Sequence, residues 1–584
     1  MLRAPPTVLQ PLPPTPKTVP PLFPAPPRRY LPERIDVGST TALDEHFEEL
    51  LQRPLGTLAQ LEDWLRDESE LQAAIAGEQA RRYVRMTRHT DDDAARQAYL
   101  AMEQTVMPHV KVRGNQLDER FLATPLLHQL DGRRYEVVVR RRRTQQALFR
   151  PQNTELQQKE AALQTRQQEL LGGITVAFDG AERTLRQLAP YLERQERDVR
   201  EASWRAGLAA RQQRWPELEQ LFDDLVGLRT TMARNAGFAT YTPYRFQELG
   251  RYDYDAEACR RLQDAIADCV VPAVRELDRR RAARLGLPRL RPWDLEVDPD
   301  GAAPLRPFAD EAGLIDCCRR LLVRVAPRYG SWLDELGRRG LLDLMSRKGK
   351  APGGYQYQLE DERVPFVFAN AAGLHQDVQT LLHESGHAFH SLLCRDLDLL
   401  ALRDYPIEIA ETASMSMELL GLEHLDAVYG PGDARRVRRK HLEGILRTLT
   451  WIASIDAFQH WVYARPKHGR EDRRTAWRDI RRRFGGDVDW SGLDDALAMQ
   501  WIGQDHLFQH AFYYVEYAIA QIAALQVWAR YRREPAQALA DYEKGLALGG
   551  SRPLPELFAA TGVRFDLSSA VLQPLVDDVL REIG

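Results

Sequence analysis

Two histidines four residues apart, with a glutamate beside the first, lie in the stretch TLLHESGHAFHSLL, residues 380–393. On a helix, residues at i and i+4 lie one turn apart on the same side, so His383 and His387 can converge on one metal ion. Glu384 is rotated by about 100° from His383, which places it beside the ion, where it can accept a proton from water. This HExxH pattern predicts a hydrolytic metal site, with surface histidines as the alternative.

Apolar residues at helical spacing predict that this stretch is an amphipathic helix with one face in the core. The predicted core positions are Val378, Leu381, Leu382, Ala388, Phe389 and Leu392. Gly386 is a poor helix former in the middle of the helix, which indicates that another part of the chain packs closely there.

A catalytic zinc site normally has three protein ligands and one open position, so a third ligand is needed. The extended metzincin pattern requires Gly at position 390 and His at 393, where this chain has His390 and Leu393, and that class is excluded. A thermolysin-like site requires a glutamate at position 406, which is Pro406. The third ligand must therefore come from a different arrangement.

The next candidates for the third ligand lie on a predicted helix in YPIEIAETASMSMELLGLEH, residues 405–424. Glu408 and Glu411 are three residues apart and share a face, so one could bind the metal while the other supports it. Glu418 lies two turns after Glu411 and could accept the free N–H of a ligand histidine. The predicted buried stripe of this helix is Ile409, Ala413, Met417 and Leu420.

Further polar and aromatic residues cluster near the C-terminal end, in WIGQDHLFQHAFYYVEYAIAQIAALQVW, residues 501–528. Within twelve residues stand His506, His510, Tyr513, Tyr514 and Tyr517. A tyrosine hydroxyl is neutral at pH 7 and can donate a hydrogen bond to a developing negative charge. The alternative is an aromatic core helix, which we prefer for Phe512 and Tyr514.

The composition is that of a soluble globular protein, with 44% hydrophobic and 28% charged residues. Its 80 basic and 84 acidic residues nearly cancel, which argues against nucleic-acid and anionic membrane partners. We interpret the basic run RRYEVVVRRRR, residues 133–143, as a solvated edge. No stretch approaches the ~20 apolar residues that span a bilayer, and the N-terminus lacks a signal-peptide core.

The five cysteines predict neither a disulfide framework nor a thiolate metal site, because their number is odd and no CxxC pair occurs. A reducing cytoplasm fits this cysteine usage best.

Helical periodicity dominates from about residue 40 onwards. Helices are predicted over 40–52, 57–86, 155–172, 181–237 and 254–285. Predicted strands are YEVVV (135–139), ITVAFDG (174–180), closed by an Asp-Gly turn, and VPFVFAN (364–370). The first 32 residues contain twelve prolines and predict an extended, disordered tail, while residues 290–308 read as an irregular connection.

The segments DVQTLLHESGHAFH and PIEIAETASMSMELL together resemble the thimet oligopeptidase superfamily of zinc metallopeptidases, on the side of oligoendopeptidase F. In that family the third zinc ligand is the glutamate of an E-x-x-S-x-x-x-E segment. Here this glutamate is Glu411, with Ser414 and Glu418 in register. Stretches such as GGITVAFDGAERTLRQLAPYL extend the resemblance over about residues 40–580. It implies that His383, His387 and Glu411 hold the metal and that Glu384 is the base.

The resemblance also implies roles outside the metal ligands. His506, Tyr513 and Tyr517 fall on the histidine and the F-Y-x-x-x-Y segment that contact the oxyanion and the substrate, with His510 as the alternative. Eukaryotic members carry glycines where LFQHA has none, which indicates a stiffer loop here. Family members also bind a peptide as an added strand, for which the extended segment after Gly353 and Gly354 is the candidate; a purely structural hairpin is the alternative.

We therefore expect a mostly α fold, a large helical metallopeptidase with two helical halves around a deep channel and a small β-sheet beside the HExxH helix. The predicted domains are a proline-rich disordered tail (1–35), an N-terminal helical domain (36–200) and a catalytic domain (201–584). The expected function is hydrolysis of internal bonds of short peptides with one Zn²⁺ per chain, for which Co²⁺ or Mn²⁺ could substitute. The alternatives are a helical HExxH metallocarboxypeptidase and a catalytically silent peptide-binding protein.

Overall fold

A computed structural model describes residues 21–584, and its first part is a group of helices. The helices of this part are α1 (Thr40–Gln52), α2 (Leu58–Arg88), α3 (Asp93–Ala101), α4 (Met107–Ala123), α5 (Gly132–Leu148) and α6 (Asn153–Gly172). Helices α1, α2, α4 and α5 enclose a second core, which Leu399 and Leu402 complete and in which Trp64 and Phe121 stack in parallel planes. Helix α6 packs instead against the larger core of the remaining chain.

The predicted strand over residues 135–139 is wrong, because this segment lies inside α5. Asp131 accepts hydrogen bonds from the next backbone N–H groups and begins the helix. Buried residues Tyr135, Val138 and Arg142 follow at helical spacing, and Arg142 pairs with Glu68 of α2 at 2.6 Å. The acidic partner on α2 explains why an arginine-rich, valine-rich segment is helical here. It also shows that part of the basic run is engaged in the interior.

The predicted helix over 181–237 begins too early, because residues 181–184 form a strand. Strands β1 (Thr175–Phe178) and β2 (Ala181–Thr184) pair in antiparallel register as a hairpin. Asp179 and Gly180 both have positive φ, as a two-residue turn of this kind requires. The Asp-Gly signal thus reverses the chain before any helix can start.

The rest of the chain is again mostly helical. Between the hairpin and the second sheet come α7 (Ala189–Leu192), α8 (Arg197–Gln212), α9 (Trp215–Asn235), α10 (Tyr241–Glu248), α11 (Ala256–Arg284), α12 (Glu311–Val325) and α13 (Pro327–Arg338). The predicted helices over 40–52, 57–86, 155–172 and 254–285 are confirmed by α1, α2, α6 and α11. Residues 290–308 hold only one short 3-10 turn, as expected.

A three-stranded sheet precedes the histidine helix. It is formed by β3 (Leu342–Met345), β4 (Tyr355–Leu359) and β5 (Val364–Ala371), with β5 in the middle, parallel to β3 and antiparallel to β4. Strand β5 is buried along almost its whole length, which explains its continuous apolar sequence. The sheet and the strand VPFVFAN beside the histidines are thus confirmed.

The remaining helices follow the sheet. They are α14 (His375–Leu393), α15 (Leu400–Arg403), α16 (Ile407–Leu422), α17 (Pro431–Ala464), α18 (Arg470–Phe484), α19 (Asp494–Ala498), α20 (Asp505–Gln509), α21 (Val515–Tyr531), α22 (Pro535–Leu546), α23 (Leu554–Ala560) and α24 (Ser569–Ile583). Helix α16 packs against both α14 and α21, so it lies between the two stretches singled out in the sequence. The mostly α fold is confirmed.

The proline-rich tail is described only in part. Its first 20 residues, and the disorder predicted for them, lie outside the described residues. Residues 21–35 contain no helix or strand, yet Phe23 and Leu31 are buried, and the Phe23 ring contacts Trp332. This part of the tail is therefore packed against the folded chain.

The proposed domain boundaries stay a prediction. Among the described residues, none of the helices is long and apolar enough to cross a membrane.

Candidate metal centre

The two histidines of α14 and one glutamate of α16 converge. Glu411 Oε2 lies 3.4 Å from His383 Nε2 and 3.5 Å from His387 Nε2. Ligand atoms of all three residues lie within 4.8 Å of one another. Two imidazoles and a carboxylate are donors that a divalent metal ion accepts, so these residues form a candidate group for one metal ion.

The close approach of α14 and α16 brings the ligands together. A Cβ atom on Gly386 would lie 2.5 Å from Ser414 Cα and 2.6 Å from the Ala413 carbonyl oxygen. Only glycine fits this contact, which confirms the close packing expected at Gly386. The predicted core residues of α14 and the predicted stripe of α16 are all buried.

A second layer of residues orients the ligands. His383 Nδ1 lies 2.7 Å from Glu418 Oε1, so the free ring nitrogen meets a carboxylate as expected. The other oxygen of Glu418 accepts a hydrogen bond from Gln379 at 2.7 Å, and Ser414 Oγ donates to Glu411 Oε2 at 2.8 Å. Such contacts fix the rotamer and the basicity of metal ligands.

Glu408 does not join this group, although it shares a helix face with Glu411. Its carboxylate accepts a hydrogen bond from the Tyr254 hydroxyl at 2.6 Å. Of the two glutamates that the sequence left open, only Glu411 lies with the histidines.

Glu384 is buried, and its Oε2 atom accepts no hydrogen bond from any residue between 21 and 584. A buried carboxylate oxygen without a partner is costly, so an unpaired one points to a water molecule or a ligand at that position. Burial raises the pKa of Glu384 to about 7; the charge of His383 opposes this shift, and the charges of Glu411 and Glu418 add to it. A pKa near neutrality suits a group that accepts and returns a proton.

The charges around His383 and His387 favour a cation at this position. Burial would lower the pKa of His383, but its hydrogen bond to Glu418 and the charges of Glu418 and Glu411 raise it to about 10. Burial, together with the charge of His383, lowers the pKa of His387 to about 3. The carboxylates of Glu418 and Glu411 thus favour a positive charge at His383, and a metal ion would supply that charge in place of a proton.

The loop around α20 is held by buried arginines. The carbonyl oxygens of Leu507 and Phe508 accept hydrogen bonds from Arg229, which is almost fully buried. Arg245 donates to the carbonyl of Ala511 at 3.2 Å. Carbonyls that have no helical partner are therefore satisfied by guanidinium groups, which supports a stiff loop in the absence of glycine.

His506 in this loop has a defined hydrogen-bond pattern. Trp451 Nε1 donates to Gln504 Oε1 at 2.7 Å, and Gln504 Nε2 lies 2.7 Å from His506 Nδ1. Because an indole N–H can only donate, the amide oxygen must face Trp451 and the amide nitrogen must face His506. Burial, aided by the charge of His510, lowers the pKa of His506 to about 4. The ring is neutral, and its proton lies on Nε2.

Three tyrosine rings surround His506. The centroid distances from His506 are 5.9 Å to Tyr513, 5.8 Å to Tyr517 and 4.7 Å to Tyr514. Burial is the main cause that raises the pKa of Tyr513 and Tyr517, and the charge of Glu411 adds to both shifts. The hydroxyls therefore stay protonated and lie within electrostatic reach of the metal ligands. His510 is exposed.

The predicted core position of Phe512 is confirmed, since its side chain is fully buried. It has a positive φ of 64°, which is rare for a bulky residue and strained. Its N–H donates to Gln459, and its carbonyl accepts from Arg251, so both sides of the strained residue are held. This conformation directs the following residue, Tyr513. Tyr514, by contrast, is only half-buried, although we expected it in the core.

The sequence analysis did not identify two residues that support the site, Gln379 and Gln504. Gln379 and Gln504 are common polar residues with no motif. The only available signal was their position within two to four residues of candidates already singled out.

The chain is similar in sequence to known peptidases. A model of the family described as peptidase family M3 matches residues 191–576, more than half of the chain. A stretch of 247 residues, 41% of the chain, is 25% identical to oligopeptidase PepF of Bacillus subtilis. This alignment spans 36% of the relative, so the chain matches about a third of the length of that curated protein.

Solved structures match over nearly the full length. The structure of PZ peptidase A with an inhibitor is 28% identical, with a TM-score of 0.86, and the match covers 94% of this chain and 98% of that one. Oligoendopeptidase-F from Enterococcus faecium, at 15% identity and a TM-score of 0.61, covers 93% of this chain and 96% of its own. The second likeness shows a shared fold alone.

Proposed function

We propose, from the premise that this chain belongs to peptidase family M3, that it is a zinc-dependent endopeptidase acting on short peptides. One observation carries the proposal. His383, His387 and Glu411 converge, and the unpaired carboxylate oxygen of Glu384 lies in the helix turn beside them. The relative named oligopeptidase supports the same substrate class.

We assign His383, His387 and Glu411 as the residues that would hold the metal, with Glu418 orienting His383. The residues fit the ion, because the donor set is the one zinc prefers and an unpaired acceptor stands beside it. When bound, the metal supplies Lewis-acid polarisation of the peptide carbonyl and of water. Co²⁺ and Mn²⁺ also accept two imidazoles and a carboxylate, so zinc is a proposal based on the chemistry of the donors.

Glu384 acts as the general base and then as the general acid. Its Oε2 would accept a proton from the attacking water and deliver it to the amine that leaves. Burial keeps this carboxylate away from bulk solvent, so the proton it takes up stays available for the second step.

His506 and the tyrosines would stabilise the oxyanion of the tetrahedral intermediate. The Nε2–H of neutral His506 is a donor at any pH above its low pKa, and Tyr513 and Tyr517 offer neutral hydroxyls. We keep Tyr513 and Tyr517 as the proposed donors and add Tyr514 as a neighbour of His506. Donors that are held in place before the reaction need no reorganisation during it.

Strand β4 supports a binding mode for the peptide. It is an outer strand of its sheet, and no described residue pairs with its second edge. Gly353 has a φ of 101°, and a Cβ on Gly354 would lie 3.8 Å from Glu384 Oε1, so β4 starts next to the proposed base. A peptide added along this edge would bring its backbone towards Glu384. We propose that two helical halves enclose this site and restrict access to short peptides.

A cytoplasmic location and the absence of nucleic-acid and membrane partners remain proposals. The location is supported by the five cysteines, all buried and free.

An internally quenched peptide blocked at both ends tests the function. We expect wild-type protein to cleave it at an internal bond, identified by mass spectrometry, and to lose activity on dialysis against a chelator until Zn²⁺ is restored. A carboxypeptidase would leave the blocked peptide intact and shorten only the version with a free carboxylate. Binding of the peptide without any cleavage at full metal loading would overturn the proposal.

Gln504→Met tests whether the hydrogen bond from Gln504 holds the His506 ring in the tautomer with its proton on Nε2. Methionine keeps the length but removes the donor to His506 Nδ1, so the imidazole can adopt the tautomer with its proton on Nδ1. We expect kcat/KM to fall about tenfold, equal to about 1.4 kcal/mol, with metal content unchanged. The histidine Nε2 and Nδ1 chemical shifts should report the change of tautomer. Gln526→Met, at a glutamine that contacts Arg564 instead, is the matched control.

A further inference from the structure

A second group of metal-binding side chains lies apart from the candidate active site. Cys259 stands in the first turns of α11, and Asp456 and His460 stand four residues apart on α17. One ligand atom from each lies within 4.8 Å of the others. Helices α11 and α17 pack against each other along their length, so the group is part of a rigid interface.

Two polar atoms of this group are buried without a partner. Asp456 is fully buried, and its Oδ1 accepts no hydrogen bond from the residues in the described range 21–584. The same holds for His460 Nε2, which lies 3.6 Å from Asp456 Oδ2, beyond hydrogen-bond distance. The other oxygen of Asp456, Oδ2, accepts a hydrogen bond from Gln263 Nε2 at 2.7 Å. A buried carboxylate oxygen and a buried imidazole nitrogen without partners in one cluster indicate a missing cation or water.

Among residues 21–584, no arginine or lysine pairs directly with the Asp456 carboxylate. Within the described chain, the only ionisable side chain at ion-pair distance from Asp456 is His460. The guanidinium groups of Arg251 and Arg260 act on His460 without contacting Asp456, and Arg251 pairs with Glu516 at 2.6 Å. A buried carboxylate without a directly paired cation is costly, and a thiolate and a carboxylate together would balance a divalent cation.

An approach path for an ion exists on one side. His460 lines a cavity of about 1070 Å³, together with Ala258, which precedes Cys259, and with Tyr254 and Phe246. Of the three proposed ligands, His460 lines this space, while Cys259 and Asp456 are fully buried. A water molecule from this cavity could complete the coordination of an ion held by three side chains.

We propose that Cys259, Asp456 and His460 form a second metal site, which takes Zn²⁺ and is separate from the HExxH site. A thiolate, an imidazole and a carboxylate suit zinc, or cobalt in its place, far better than magnesium or calcium. Binding requires that the Cys259 thiol lose its proton to solvent. The absence of a CxxC pair led us to expect no thiolate site, but these ligands come from two helices that are far apart in the sequence.

The position of the site suggests a structural role for its metal. The His460 ring lies 5.0 Å from the ring of Phe512, the strained residue before Tyr513. Gln459, the neighbour of His460 on α17, accepts the hydrogen bond from the Phe512 N–H. An ion that fixes His460 would therefore stiffen the support beneath the loop of Tyr513.

Metal content and cobalt spectra of the full-length chain test this site without any activity assay. After dialysis against metal-free buffer with a reductant, we expect about two zinc ions per wild-type chain and about one in His383→Ala. The cobalt-substituted protein should show a thiolate-to-cobalt charge-transfer band. That band should persist in His383→Ala, because the HExxH site contains no sulfur ligand.

Cys259→Ala should abolish the band and remove one zinc ion, while Cys269→Ala, at another buried cysteine of the same helix, should change neither. One zinc ion per wild-type chain without a thiolate band would overturn the proposal. The wild-type and His383→Ala measurements decide the question even if a variant at position 259 fails to fold. Peptidase activity can fail or succeed independently of these readouts, so the two proposals are tested separately.

Discussion

Glu384→Gln is expected to reduce kcat/KM for the blocked peptide by about 10²- to 10⁴-fold, the range measured for loss of a general acid–base. The amide has the size of the carboxylate but cannot accept the proton from water. Since Glu384 is not among the three converging ligands, the metal content should equal that of wild type. A neutral amide is also less costly to bury than an unpaired carboxylate, so the melting temperature should not fall.

Glu155→Gln is the matched control for this substitution, because Glu155 is an exposed helical glutamate whose only ion pair within residues 21–584 is with Lys159 in the next turn. It should leave both activity and metal content at the wild-type level. If Glu384→Gln retained more than about a tenth of the wild-type activity, Glu384 could not be the main proton acceptor. Loss of metal together with activity would instead place Glu384 among the ligands.

Gly386→Ala is expected to damage both stability and catalysis, although it adds a single methyl group. The new Cβ would overlap the backbone of Ala413 and Ser414, so α14 and α16 must move apart by about 1 Å to reach ordinary contact distance. That movement separates the histidines from Glu411. We expect a loss of about 1–3 kcal/mol in the free energy of unfolding and about 10²-fold in kcat/KM.

The measurements for Gly386→Ala are chemical denaturation, peptide hydrolysis and the chelator concentration that removes half of the metal. Gly444→Ala on α17 provides the control, because a Cβ there would have no heavy atom of the described chain within 4 Å. This control should gain up to about 1 kcal/mol in the free energy of unfolding, as expected for alanine in a helix. If Gly386→Ala were as stable and as active as wild type, the close contact of the two helices would not position the ligands.

The sequence alone predicted the features that depend on local spacing or on a dense motif. The i, i+4 histidines and the apolar stripe of α14 follow from the helical period, and both are present. Gly386 predicted a close contact, because glycine is unfavourable in the middle of a helix unless another part of the chain packs against it. Glu411 was singled out by the resemblance, since spacing alone left it equivalent to Glu408. The tertiary structure separated the two, because Tyr254 engages Glu408.

The sequence predictions were wrong where a residue distant in the chain overrides the local structural preference of a segment. Valines at 137–139 favour a strand, but they lie in α5, whose Arg142 pairs with Glu68 of α2. Tyr514 looked like a core residue, yet it lies beside His506 because the turn at Phe512 has a positive φ. Neither the ion pair nor the turn has a signature in the neighbouring sequence.

The sequence by itself thus determined the helical class, the HExxH helix and the candidates for its chemistry, since these depend on periodicity within one element. Only the tertiary structure decided which side chains from different elements meet. It brought Gln504 to His506, and it brought Cys259 of α11 to Asp456 and His460 of α17. The physical reason is that such contacts depend on how helices pack, and packing joins residues whose separation along the chain carries no regular spacing.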